Sequence, residues 1–310
     1  MEKMIGLVGF GMLLLQSCTH WDPGFALKGL SAPPIETSLN GVDAIFETAD
    51  NATRLNQAIE GYSRVFPGSD KTLGLRLAEA HILYAAAYGQ TKKDKAQHYR
   101  KGIQYAEWVM AQNPDFAAAV AGGQKVDEAC QYLNQDDMKA MLLWVTGVSY
   151  YYKECLSGLS HVFHAGWMVQ TKSVLDRLLA LDPQYEYGAV LFSRGIYDVA
   201  NPFGNKDRAV DLMNQAVDSS QGALLARWGR AKYWYQPKGQ KEALKQDLMW
   251  VIRQDPKAAP SPYRWNVYFQ RDAQTMLRKE GWPTEDLAEM GPSASSSASV
   301  SSKKPTTTLL

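Results

Sequence analysis

Apolar residues along this chain recur at three- and four-residue intervals, and the runs are cut repeatedly by Asn-Pro or Asp-Pro. Between Leu175 and Val217 the pattern is densest. Val190, Leu191, Ile196 and Val199 fall on one helical face, and Ala209, Val210, Leu212, Met213, Ala216 and Val217 on another. The spacing predicts one helix ending at Asp182-Pro183, a second over Gln184 to Val199 and a third from Lys206. The loop from Asn201 to Asn205 is short enough to fold the second and third back antiparallel. Upstream, the same periodicity predicts helices over Thr53 to Phe66, Lys71 to Gly89 and Lys92 to Gln112. Leu73, Leu77, Ala80, Ile82 and Leu83 lie near one face of the second of these, and Tyr99, Ile103, Ala106 and Val109 on one face of the third.

Asn113-Pro114, Asp182-Pro183 and Asp255-Pro256 each close an apolar helix, and their prolines stand 69 and 73 residues apart. Each interval holds two units of the tetratricopeptide period of about 34 residues, with a few residues inserted. A proline there ends one helix and suits the first turn of the next. The expected fold is therefore all-α, a degenerate tetratricopeptide-like array of helical hairpins, an α-solenoid.

Phe116 to Tyr152 departs from the pattern. The small residues Ala117 to Gly123 and the polar break Asn134 to Asp137 precede a helix rich in aromatics: Trp144, Tyr150, Tyr151 and Tyr152. A helix apolar nearly all round is a core helix. The alternative is that Trp144, Tyr151 and Tyr152 line a cavity for an apolar ligand, since such sites combine aromatic walls with a few polar tips. These three are the candidate ligand-binding residues.

The N-terminus adds a different signal. Lys3 precedes the apolar run Ile5 to Leu15, which is too short and glycine-rich to span a bilayer, and Leu15-Gln16-Ser17-Cys18 fits a bacterial lipobox. The expectation is a signal peptide over 1–17 and lipid attached to Cys18, palmitate included. Residues 18–48, with Pro23, Pro33 and Pro34, read as a spacer, 49–288 as the helical domain and 289–310 as a disordered Ser/Thr-rich tail. Acyl chains anchor the domain without spanning the membrane. Thr19 after the cysteine points to the outer membrane.

A formal charge of +1 argues against nucleic acid, and the 45% apolar content suffices for a sizeable core. No phosphate loop, nucleophile elbow or Cys-x-x-Cys pair occurs, so no catalytic residue or cofactor is expected. His161 and His164 are spaced for one helix face but lack an acidic partner nearby, and no metal site is assigned to them. With Cys18 lipidated, Cys130 and Cys155 remain for one bridge, which the predicted hairpin geometry disfavours.

The order of features is what carries a resemblance: the lipobox, the Asn113-Pro114 hairpin, the Asp136-Asp137 break, Leu142-Leu143-Trp144 with Gly147, Leu181-Asp182-Pro183 with Tyr185, Gly188-Ala189, Gly204 to Ala209, and the Asp255-Pro256 hairpin. From Leu15 to Trp282 the chain resembles the T component (TatT) family of lipoproteins associated with tripartite ATP-independent periplasmic (TRAP) transporters. The resemblance implies a degenerate tetratricopeptide fold and a homotrimer. It also implies pairing with the transporter's periplasmic substrate-binding protein, and an apolar channel or pocket rather than an enzyme's active site. Cys130, Cys155, Tyr233 to Tyr235 and Trp265 to Phe269 are not signatures of that family. The competing function is a general helical-repeat lipoprotein scaffold for envelope assembly.

Overall fold

The structure is a computed structural model that describes residues 39–66, 70–201 and 204–282, apart from the Asn40 side chain. Among these residues there are fourteen α-helices and no strand. The fold is the all-α array the sequence predicts. The signal segment, Cys18 and the tail lie outside the described residues.

α1 (Leu39–Glu47) and α2 (Ala52–Val65) form the first hairpin, α3 (Lys71–Tyr88) and α4 (Lys92–Met110) the second. α5 (Pro114–Ala121) and the single turn α6 (Val126–Ala129) lead to α7 (Met138–Cys155). The short α8 (Leu159–Phe163) is followed by α9 (Ala165–Leu181), α10 (Tyr185–Ala200), α11 (Lys206–Asp218), α12 (Leu224–Arg230), α13 (Lys241–Arg253) and α14 (Tyr263–Lys279). A π-helical segment, Ala231–Tyr235, extends α12.

Local chemistry sets the boundaries. Asn51, Asp70, Thr91, Asn113 and Asn205 each accept a backbone N–H from the first turn they cap, and Pro114 occupies the first position of α5. Neighbouring helices pack in chain order, α7 against both α3 and α4, and the last helix meets the first. Arg264 of α14 reaches Glu47 of α1 at 2.9 Å and lies 3.8 Å from the centre of the Phe46 ring. The hairpins thus close into a ring with inner helices α3, α7, α10, α12 and α14.

Three expectations need correction. α1 falls inside the stretch read as spacer, and Phe46 is fully buried against Tyr62, so the packed domain begins at or before Leu39. A nine-residue amphipathic helix after a proline-rich segment is too short to stand out by length. The helix expected from Gln184 has left-handed backbone at Glu186 (φ 53), Tyr187 (φ 59) and Gly188 (φ 82), and regular helix starts at Ala189. At Gly188 the chain passes so close to α11 that an added Cβ would sit 2.8 Å from Ser219 Oγ and 3.0 Å from the Ala216 carbonyl. After Asp255-Pro256 the chain does not restart at once, because Pro260 and Pro262 delay α14 to Tyr263.

Candidate functional site

α7 is the central wall, and two of its faces differ. Trp144 is fully buried, and its indole N–H donates to Glu107 of α4 at 3.0 Å. The Tyr151 hydroxyl accepts from Arg100 Nε and Nη2 at 3.1 and 2.7 Å, and its ring packs on Trp167. Tyr152 is half-buried and donates to the His161 carbonyl at 3.0 Å. Gly147 lets α4 approach, since a Cβ there would meet Ile103 Cγ1 at 2.8 Å. The three aromatics expected to line a ligand cavity are thereby committed to packing with α4, α8 and α9.

The other face carries Lys139, Leu143, Thr146, Tyr150 and Lys153, spaced by four and three residues and so in one line along the helix. Lys139, Thr146 and Tyr150 keep accessible surface. Yet burial is the largest influence on Lys139 and Tyr150 alike. Tyr150 shares hydrogen bonds with Tyr233 of the π-helical segment and Tyr268 of α14, and it stacks on Tyr99 with rings 5.8 Å apart. Tyr233 lies within the π segment, its ring 5.8 Å from that of Trp228.

Each end of the stripe is charged. At the Lys139 end, Glu79 of α3 is buried and held by Arg264 Nη2 at 2.7 Å and by the Trp265 indole at 2.9 Å. Burial alone would raise the Glu79 carboxyl, but Arg264 and Lys139 outweigh it and leave the pKa below the ordinary value. Lys139 mirrors this: burial works against its charge, and Glu79 and Glu186 more than restore it. Glu186, projected by the left-handed turn, takes Lys139 at 3.0 Å. Glu47 and Glu186 also line a cavity of about 520 Å³ with Tyr185, Tyr187, Gln221 and Pro262. This pocket therefore abuts the first residue of the stripe.

At the Tyr150 end, Glu154 takes Lys95 at 2.8 Å and the Tyr99 hydroxyl at 2.9 Å, and Asp272 takes Lys232 and the Trp228 indole. Burial lowers the Lys153 pKa, with Lys232 adding to the effect, and Lys153 Nζ sits 4.2 Å from the centre of the Tyr233 ring. The stripe therefore has tyrosine hydroxyls midway and charges at both ends.

The model of the TRAP transporter T-component family matches residues 59–281. The chain belongs to that family. No curated protein matches it. Membership gives this T-component an accessory role in TRAP transport and an association with that transport system, in a family of transporter accessories rather than enzymes. It places the protein with the cell envelope, and no helix among the described residues is long and apolar enough to cross a membrane.

Sequence reasoning missed Lys139, Thr146, Tyr233, Tyr268, Glu79 and Arg264. A signal did exist for one of them: Glu79 is a lone carboxylate within the apolar run Leu77 to Leu83 and demands a buried partner. His161 and His164 bond backbone carbonyls, and no group of three metal-ligating side chains occurs among the described residues. Cys130 and Cys155 are separate free thiols, the first buried.

Proposed function

We propose that this T-component is a lipoprotein anchored through Cys18 to the outer membrane and facing the periplasm, and that it binds the transporter's substrate-binding protein as a homotrimer. Its central cleft takes an apolar solute in passage. The single observation that supports the solute role is the row of partly accessible polar tips, Lys139, Thr146, Tyr150 and Lys153, along a helix otherwise apolar all round, because a helical array that served only as a scaffold gains nothing from them there. The ligand sites expected at Trp144, Tyr151 and Tyr152 move, on this reading, one step round the same helix to Leu143, Thr146 and Tyr150.

The test is titration with the neutral probe N-phenylnaphthylamine, alongside capture of partners from solubilised envelopes. Thr146→Trp fills the cleft and should abolish probe fluorescence while the protein still captures the substrate-binding protein. A wild-type protein that binds no probe sinks the solute role. Capture of envelope-assembly proteins in place of TRAP components would favour the scaffold.

A further inference from the structure

α8 is built inside out. Its polar side chains turn inward: His161 Nε2 lies 3.0 Å from the Tyr152 carbonyl while the Tyr152 hydroxyl donates to the His161 carbonyl at 3.0 Å. His164 Nδ1 is 2.8 Å from the Ser160 carbonyl, and its ring stands edge-on to Trp167. The apolar side chains turn out. Leu159 is 74% exposed, Val162 69%, Phe163 55% and Val169, early in α9, 59%. Amphipathic helices at a protein surface show the opposite polarity. The whole run from Cys155 to Thr171 holds no Asp, Glu, Lys or Arg, in a chain that is 21% charged. The paired bonds to Tyr152 fix the helix, so the exposure is a held geometry.

Basic side chains stand at the end of α7 from which it hangs. Lys92 and Lys93 are exposed at the start of α4. On the next turns, Lys95 pairs with Glu154 and Arg100 holds the Tyr151 hydroxyl, which sets this helix against the end of α7 from which α8 hangs. The same cations are felt at Cys155, whose thiol burial pushes up to about 11 against the pull of Lys95, Lys92 and Arg100.

We propose that α8 is a membrane-docking knuckle: Leu159, Val162, Phe163 and Val169 enter the headgroup boundary of a bilayer, and the cations of α4 meet anionic headgroups. Three side chains on so short an element, with Val169 of α9, fall well below the roughly 800 Å² per partner of a stable protein interface. An apolar tip with a basic flank is instead the complement of an anionic lipid surface. The choice of lipid rests also on the anchor at Cys18. From Cys18 to Leu39 the chain reaches at most about 75 Å, well beyond the length of α7, about 27 Å. The anchor therefore keeps the domain at the bilayer without fixing which end faces it. The knuckle fixes it, and turns the pocket beside Lys139, at the other end of α7, toward the aqueous side where a soluble partner arrives.

The experiment places a fluorophore at Phe163→Cys, or at Gln221→Cys in the pocket rim, each in a Cys155→Ser background of the full protein. Vesicles of phosphatidylethanolamine and phosphatidylglycerol carry a lipid quencher at the headgroup boundary. Quenching at position 163 should exceed that at 221 about threefold or more, and exchanging phosphatidylglycerol for phosphatidylcholine should reduce it about twofold. Adding Leu159→Asp and Val162→Asp should bring 163 down to the level of 221. Equal quenching at the two positions overturns the proposal. So does a signal at 163 that shifts with protein concentration in detergent and ignores the quencher, since that marks contact between copies. Palmitate labelling reads the anchor separately: its absence with quenching retained at 163 rejects the anchor and keeps the knuckle.

Discussion

Two faces of α7, only 100° apart at neighbouring residues, have opposite fates. The face with Trp144 and Tyr151 meets α4 and α9 and is closed to solvent, its polar atoms satisfied by Glu107 and Arg100. The face with Lys139, Thr146 and Tyr150 meets Glu186, the π segment and α14 and keeps both charge and accessible surface. Aromatic content does not separate them, because both faces carry it. What separates them is that one face sets Lys139, Thr146, Tyr150 and Lys153 around the single aliphatic Leu143, where a packed interior would hold mostly aliphatic side chains. A cleft-lining face thus reads as a polar-tipped stripe on a helix otherwise apolar all round.

The comparison is broken most severely by deleting the packed face. Trp144→Ala removes a fully buried indole and strips Glu107 of a donor, and should cost about 3–5 kcal/mol. Urea unfolding measures this through its midpoint. A small stability loss accompanied by loss of probe binding would place Trp144 in the cleft and reverse the two faces.

A similar loss is expected at the closure of the ring. Arg264→Met leaves the Glu79 carboxylate buried without its guanidinium, a loss of about 3–5 kcal/mol for a broken buried pair. Glu79→Gln combined with Arg264→Met should recover much of it. The sign in pH follows from the lowered Glu79 pKa: its contribution is complete above the ordinary carboxyl value of 4.5 and is lost as pH falls through the lower folded value. Wild-type denaturation profiles should show that acid limb, and the double variant should lack its share.

The array was legible because its punctuation is chemical. Asn113 caps α5 with Pro114 behind it, and Asn205 caps α11, as the sequence requires. The left-handed turn at Glu186 and Tyr187 was not legible, since neither residue type favours positive φ; tertiary contact at Gly188 and the Lys139 pair hold it there. The ring closure was hidden for another reason. Glu79 and Arg264 lie 185 residues apart, and no local pattern links them. At the cleft, the aromatic helix was identified but its inner face was not, because facing is decided by which neighbours arrive.

A gentler effect belongs to α3, outside both faces. Burial, with His98 and Lys101 adding to it, holds His81 well below the ordinary value of 6.5. The unfolded chain therefore takes up a proton near pH 6.5 that the folded protein refuses. Stability should fall as pH drops below that value, and His81→Phe should flatten this limb in a urea series from pH 7.5 down to about 5.5. An unchanged limb would assign the acid sensitivity elsewhere.

The smallest change is the sharpest comparison, since it removes one oxygen from either of two adjacent tyrosines. Tyr151→Phe loses the bonds from Arg100 Nε and Nη2 outside the cleft. Tyr150→Phe loses those shared with Tyr233 and Tyr268 within it. Each should cost about 1 kcal/mol, the usual net worth of a satisfied side-chain bond. Stability alone therefore cannot tell them apart. Probe binding can: Tyr150→Phe makes the middle of the cleft more apolar and frees Tyr233 from its cross-cleft partner, so affinity for N-phenylnaphthylamine should rise several-fold, within the range of about 1 kcal/mol. Tyr151→Phe should leave it unchanged, because that ring is buried under Arg100 and Trp167. Equal responses from the two variants would mean that the faces of α7 are not distinct to a ligand, and that the probe sits elsewhere, with the pocket at Glu47 and Glu186 the next place to look.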